Sequence, residues 1–206
     1  MVDNFHVFMI LFLMLGPFKI LGPYTRLTRE ADPVLARKVA IRSILISSLA
    51  LLLAALLGKQ VISNFAIPVP ILAISGGLIL FLVAIQNVIS QFADHSGKKE
   101  APEPLDIKMA MYPLAFPIIV TPYGIAAVIV FLAVTPSLEG DLWIGAMIAG
   151  IMLLNLVMML MNRYLFKAMA FVLPVLGSIL SVVQVALGLQ IMYRSLMLLI
   201  NPSEQG

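Results

Sequence analysis

The chain has 206 residues, of which 62% are hydrophobic and only 11% charged, with a formal net charge of +3. An ordinary soluble domain carries roughly 25% charged residues, so this composition belongs in a bilayer rather than in water. The absence of cysteine excludes disulfides, thiolate metal sites and a cysteine nucleophile, and the basic residues cluster between apolar runs, a sign of membrane orientation rather than nucleic-acid binding.

The first apolar segment, Phe5 to Tyr24, is interrupted only by His6 and Lys19. It lacks a basic leader and a small-residue cleavage site, so it reads as a retained first span. Uncharged runs follow over 43–58, 60–93, 109–138, 142–162 and 168–193, and about 20 apolar residues suffice to cross the hydrocarbon. The run over 60–93 is too long for one span, and Ala66-Ile67-Pro68-Val69-Pro70 marks a turn within it. Helix two is expected over 43–65, helix three over 70–92, helix four over 109–134, helix five over 142–162 and helix six over 176–200. The fold class is therefore all-α, a polytopic membrane protein with six transmembrane helices.

Orientation follows from the cations. Arg26, Arg29, Arg37, Lys38 and Arg42 lie between helices one and two, Lys98, Lys99 and Lys108 between three and four, and Arg163 and Lys167 between five and six. These ten share one side, and the other side holds only Lys59 and Arg194. The positive-inside rule puts the ten in the cytoplasm and both termini outside it. The hydrophilic stretch 94–108, with His95, Gly97, Pro102 and Pro104, becomes a cytoplasmic linker between a first three-helix repeat over 1–93 and a second over 109–206. Three spans per half invert the second half relative to the first.

The halves share marks at nearly one offset. Pro17 and Pro23-Tyr24 in helix one match Pro117 and Pro122-Tyr123 in helix four at offsets of 100 and 99, and Ala84-Ile85-Gln86 matches Gly188-Leu189-Gln190 at 104. A proline in hydrocarbon releases a carbonyl that water cannot satisfy, so paired prolines suit a broken helix whose backbone faces protein or a polar cavity. Matching breaks in matching halves point to a substrate site at the repeat interface.

A zwitterionic solute entering such a site needs partners for a carboxylate and an ammonium. Half-helix N-termini and freed carbonyls supply both. Gly22, Pro23 and Tyr24, with Thr121, Pro122, Tyr123 and Gly124, are the expected lining, and Ser75-Gly76 and the register-matched Gln86 and Gln190 join them. The bland alternatives are kinks for the prolines, close helix packing for Ser75-Gly76-Gly77 and interhelical hydrogen bonds for the glutamines, Asn87, Asn155 and Gln184. Lys19, a strongly basic residue inside a span, has two readings. It is an anchor snorkelling to the interface, or an internal cation that holds an anionic group or replaces a bound sodium ion.

No expected span contains Asp or Glu, which removes an intramembrane carboxylate base, an HExxH zinc site and paired intramembrane aspartates, so no enzyme is expected. The same gap removes the usual buried proton carrier.

The segments Ile74-Ser75-Gly76-Gly77-Leu78-Ile79-Leu80-Phe81-Leu82-Val83-Ala84-Ile85 and Pro113-Leu114-Ala115-Phe116-Pro117-Ile118-Ile119-Val120-Thr121-Pro122, with Gly16-Pro17 ahead of Leu27-Thr28, resemble the MarC family of bacterial and archaeal inner-membrane proteins. That resemblance implies six spans in two inverted repeats, a prokaryotic plasma-membrane location and, as in some members, movement of glycine, alanine and similar neutral amino acids. Many members carry an acidic residue before the first proline and a Gly-Asn pair after it, whereas this chain reads Gly16-Pro17-Phe18-Lys19-Ile20. The function expected is a secondary transporter or exporter of small neutral amino acids, the alternative being a channel or a non-transporting membrane scaffold. Its partners are the lipid bilayer and the solute, with no nucleic acid, and a homo-oligomer stays open. No metal or cofactor is expected, and coupling to Na+ or H+ is left open.

Overall fold

The computed structural model describes residues 4–92, 105–135, 137–162 and 172–200, and all regular structure among them is helical. In chain order these are α1 (Asn4–Leu15), α2 (Phe18–Thr28), α3 (Pro33–Phe65), α4 (Val69–Phe92), a short tight turn of helix (Ile107–Ala110), a wide-turned segment (Met111–Ile119), α5 (Pro122–Val134), α6 (Leu138–Leu160) and α7 (Val172–Ile200). Among the described residues, five helical stretches are long and apolar enough to span a membrane, and six when Ile107–Ile119 and Pro122–Val134, bent by 59°, count as one. The linker around His95, Gly97, Pro102 and Pro104, together with Arg163 and Lys167, lies outside the described residues.

Two helices start earlier than charge alone suggested. α3 begins at Pro33 rather than near residue 43, because Pro33 fits a first helical position and Asp32 Oδ2 accepts from Leu35 N at 3.3 Å. Its 33 residues extend ~50 Å, more than the ~30 Å hydrocarbon, so the turns bearing exposed Arg37, Lys38 and Arg42 project beyond it. α6 begins at Leu138, where Ser137 Oγ accepts from Gly140 N at 3.0 Å and Glu139 and Asp141 sit at the positive end of the helix. The turn expected at Ala66-Ile67-Pro68 is present: Ala66 has φ 49° and Ile67 N bonds Ile62 O at 3.1 Å, closing α3.

α4 packs most extensively on α7. A Cβ on Gly77 would stand 3.0 Å from Gly188 O, and one on Gly188 2.9 Å from Gly77 O, so the two backbones touch. Likewise, a Cβ on Gly76 would come within 2.9 Å of the Ala126 Cβ on α5. The buried core forms where α1, α2, Met111–Ile119 and α5 converge, with Leu11, Leu15, Ile20, Leu114, Ile119 and Val128 inside it, flanked by α3 and α6. Large apolar side chains such as Leu45, Leu49 and Leu56 on α3 and Leu82 and Ile89 on α4 point outward, as suits lipid contact.

Candidate functional site

α1 ends at Leu15 because Pro17 has no N–H to give Leu13 O, and α2 restarts at Phe18. Only glycine fits between them, since a Cβ on Gly16 would lie 2.1 Å from the Phe12 carbonyl oxygen. Among the described residues no backbone hydrogen bond reaches back across Gly16-Pro17, and the turn closes locally through Ile20 N to Pro17 O at 3.2 Å. The carbonyls of Leu13, Met14 and Leu15 are thereby released inside an apolar core, where an unpaired one is costly.

Each of the three meets a side chain. Gln184 Nε2 on α7 donates to Leu13 O at 3.0 Å, Lys19 Nζ donates to Met14 O, and Asn155 Nδ2 on α6 donates to Leu15 O at 2.9 Å and to its own Ile151 O at 2.8 Å. That arrangement leaves the Asn155 Oδ1 buried without a hydrogen-bond partner.

The second interruption is built differently. Tyr112 and Phe116 are extended within Met111–Ile119, as are Val120 and Thr121 after it. Val120 N returns to Ala115 O at 2.9 Å, and Thr121 Oγ1 accepts from Gly124 N at 3.1 Å, with Pro122 in the first helical position of α5. The threonine hydroxyl caps the helix and proline gives up an N–H that had no partner in any case.

The two interruptions meet. Lys19 Nζ donates to the Tyr123 hydroxyl at 3.2 Å and lies 5.0 Å from the centre of the same ring. A Cβ on Gly124 would stand 2.7 Å from Leu15 Cδ2, so the last residue of α1 rests on the first turn of α5. Lys19, Thr121, Tyr123 and Gly124 are thus gathered at one seam, with Thr121, Tyr123 and Gly124 buried and Pro122 beside them but exposed.

Other expected lining residues lie elsewhere. The Gly22-Pro23-Tyr24 segment is not an opening: α2 runs through it, Gly22 has nothing within 4 Å of a would-be Cβ, and the Tyr24 hydroxyl donates to Ala36 O at 2.9 Å, tying α2 to α3. Ser75 is exposed and bonds Ile71 O of its own helix at 3.0 Å. Gly76 serves helix packing, and Gln86 and Gln190 lie on exposed faces of α4 and α7, because a shared register does not fix which way a helix face turns. Asn155 and Gln184, which the sequence suggested first as interhelical bonders, are the clamps of the first interruption, and Thr25 Oγ1 on α2 donates to Asn162 Oδ1, just past the end of α6, at 2.6 Å. Their inclusion among uncharged polar residues within spans was the available signal.

Two cavities lie between neighbouring helices. One of about 400 Å³ lies among Ser48, Leu52, Leu56, Leu132, Ile148 and Met152. A smaller one of about 50 Å³ lies between α1, α5 and α6, lined by Asn4, Val7, Phe131, Thr135 and Trp143 among others. Neither is lined by Lys19, Thr121 or Tyr123.

Residues 1–200 match the family model described as MarC family integral membrane protein. The chain is 27% identical over 141 residues to the UPF0056 inner membrane protein YhgN of Escherichia coli (strain K12), covering 68% of this chain and 69% of that one. It is 32% identical over 128 residues to the UPF0056 membrane protein MJ1677 of Methanocaldococcus jannaschii, covering 61% and 62%. A second protein of that organism, UPF0056 membrane protein MJ0972, is 23% identical over 203 residues, 96% of this chain and 89% of its own. No solved structure matches.

Proposed function

The chain belongs to the MarC family of integral membrane proteins, and from that footing we propose that it is a secondary transporter or exporter of small neutral amino acids. It works by alternating access between two inverted three-helix halves, in a prokaryotic inner membrane with both termini outside the cytoplasm. The observation that carries this reading is the seam itself: the interrupted backbone at Leu15–Pro17 and at Val120–Thr121 is buried in protein and joined by Lys19 and Tyr123, while Phe116, Pro117 and Pro122 lie on its exposed side. Irregular backbone at such depth is tolerated only where protein or a polar cavity surrounds it.

The packing supports the inverted repeat. Exchanging spans one and four, two and five, and three and six turns the α3–α5 contact into α6–α1 and α4–α5 into α7–α2, and returns α3–α6, α4–α7 and α1–α5 to themselves. All of these pairs touch.

The solute carboxylate faces the positive end of α5 and the Lys19 ammonium, and its ammonium faces the buried, unpartnered Asn155 Oδ1. The small cavity between the outer ends of α1 and α5 is the entrance, with the seam below it closed in this conformation. Saturable, competitive flux of glycine or alanine in proteoliposomes, lost in Asn155→Leu and Thr121→Val proteins that still fold, is the expected result. Linear unselective flux makes the protein a channel, and no flux with any neutral amino acid makes it a scaffold.

A further inference from the structure

Lys19 is half-buried, and a lysine drawn into the interior ordinarily faces a carboxylate, since the pairing offsets the loss of hydration. Lys19 does not. Its hydrogen bonds go to neutral oxygens, the Met14 carbonyl and the Tyr123 hydroxyl, and the amine stands 5.0 Å from the centre of the Tyr123 ring. Among the described helices, Asp and Glu within a span occur only at Glu139 and Asp141, in the first turn of α6. Nor does Lys19 snorkel. Its amine reaches back five residues to Met14, toward the interruption, whereas the near end of the span lies forward at Thr28. Side chains on a helix lean toward its N-terminus, so position 19 delivers the amine to the end of α1 without strain.

A released main-chain carbonyl and a phenol oxygen are neutral oxygen donors of the kind that a dehydrated monovalent cation takes at a broken helix. We infer that the Lys19 ammonium is a tethered cation, filling a site at the end of α1 that would otherwise take sodium or a small ammonium ion. Because the charge is covalently attached to α2, it moves with the first span. The consequence for transport, that flux runs without sodium, rests on the function proposed above, but the site itself does not.

The test therefore reads the site without flux. Purified full-length protein in detergent is melted in sodium chloride, ammonium chloride and choline chloride at equal ionic strength, as wild type and as Lys19→Ala. The wild-type midpoint is expected to be the same in all three salts. Lys19→Ala should melt lower in choline and recover saturably, by ~3 °C or more, with sodium or ammonium, the size of shift that a restored interaction of about 1 kcal/mol gives a protein of this length. A wild-type midpoint that climbs saturably with sodium overturns the inference, as does a folded Lys19→Ala protein indifferent to both ions. Should Lys19→Ala fold in no salt, binding of radiolabelled sodium to the wild type decides: no saturable binding upholds the tethered cation and saturable binding removes it. If amino acid flux is absent while the salt response follows expectation, the transport reading fails and the cation site stands.

Discussion

The two interrupted spans carry similar proline pairs, Pro17 with Pro23 and Pro117 with Pro122, yet resolve them in opposite ways. In the first, the break falls at Gly16-Pro17 and Pro23 is absorbed inside α2. In the second, extended backbone at Phe116 precedes Pro117, and a further break at Val120-Thr121 precedes Pro122. The difference lies in the residue before the later proline. Thr121 brings a hydroxyl that caps a new helix, whereas Gly22 brings nothing that could, so the chain there stays helical. The first interruption is consequently satisfied from outside, by Asn155 and Gln184 on other helices and by Lys19, and the second largely by its own residues. A proline opens a helix, but the neighbouring polar groups determine where it stays open.

That contrast can be broken by substitution, each effect being read as the thermal midpoint of the purified protein. The largest expected loss is from Gly16→Val, about 3 kcal/mol, because its Cβ would overlap the Phe12 carbonyl. Phe116→Val at the other interruption, extended and exposed, should cost under about 1 kcal/mol. Equal losses would abolish the distinction. Next comes Asn155→Leu, expected to cost about 2 kcal/mol by orphaning the Leu15 carbonyl. A protein unmoved by it would mean that the first break is satisfied without α6.

Thr121→Val should lose about 1 kcal/mol with the cap, and Thr121→Ser should retain most of it. Failure of serine to substitute would assign the threonine methyl, not its hydroxyl, to the second break. Smallest is Pro23→Ala, which restores an N–H inside α2 and should leave the midpoint unchanged or slightly raised, by under about 1 kcal/mol. A clear loss there would restore Pro23 to the role that its match with Pro122 first suggested.

Much of the architecture was legible in the chain. Apolar runs located the five or six stretches able to span a membrane. Charge misplaced the ends of α3 and α6, because a helix continues into water as long as its backbone is capped, as Asp32 and Ser137 show. Of the expected site, Lys19, Thr121, Tyr123 and Gly124 come together, while Gln86 and Gln190 face outward. The clamps at Asn155 and Gln184 stand 140 and 171 residues from the carbonyls they hold, a separation at which local pattern carries no information.

By itself the sequence determined the environment, the all-helical class and the places where a helix has to give up a hydrogen bond, since these depend on composition and on the missing N–H of proline. Only the tertiary structure decided which of those places opened and who answered the released carbonyls. In a medium without water every such group must find a protein partner, and that partner is chosen by how the helices pack.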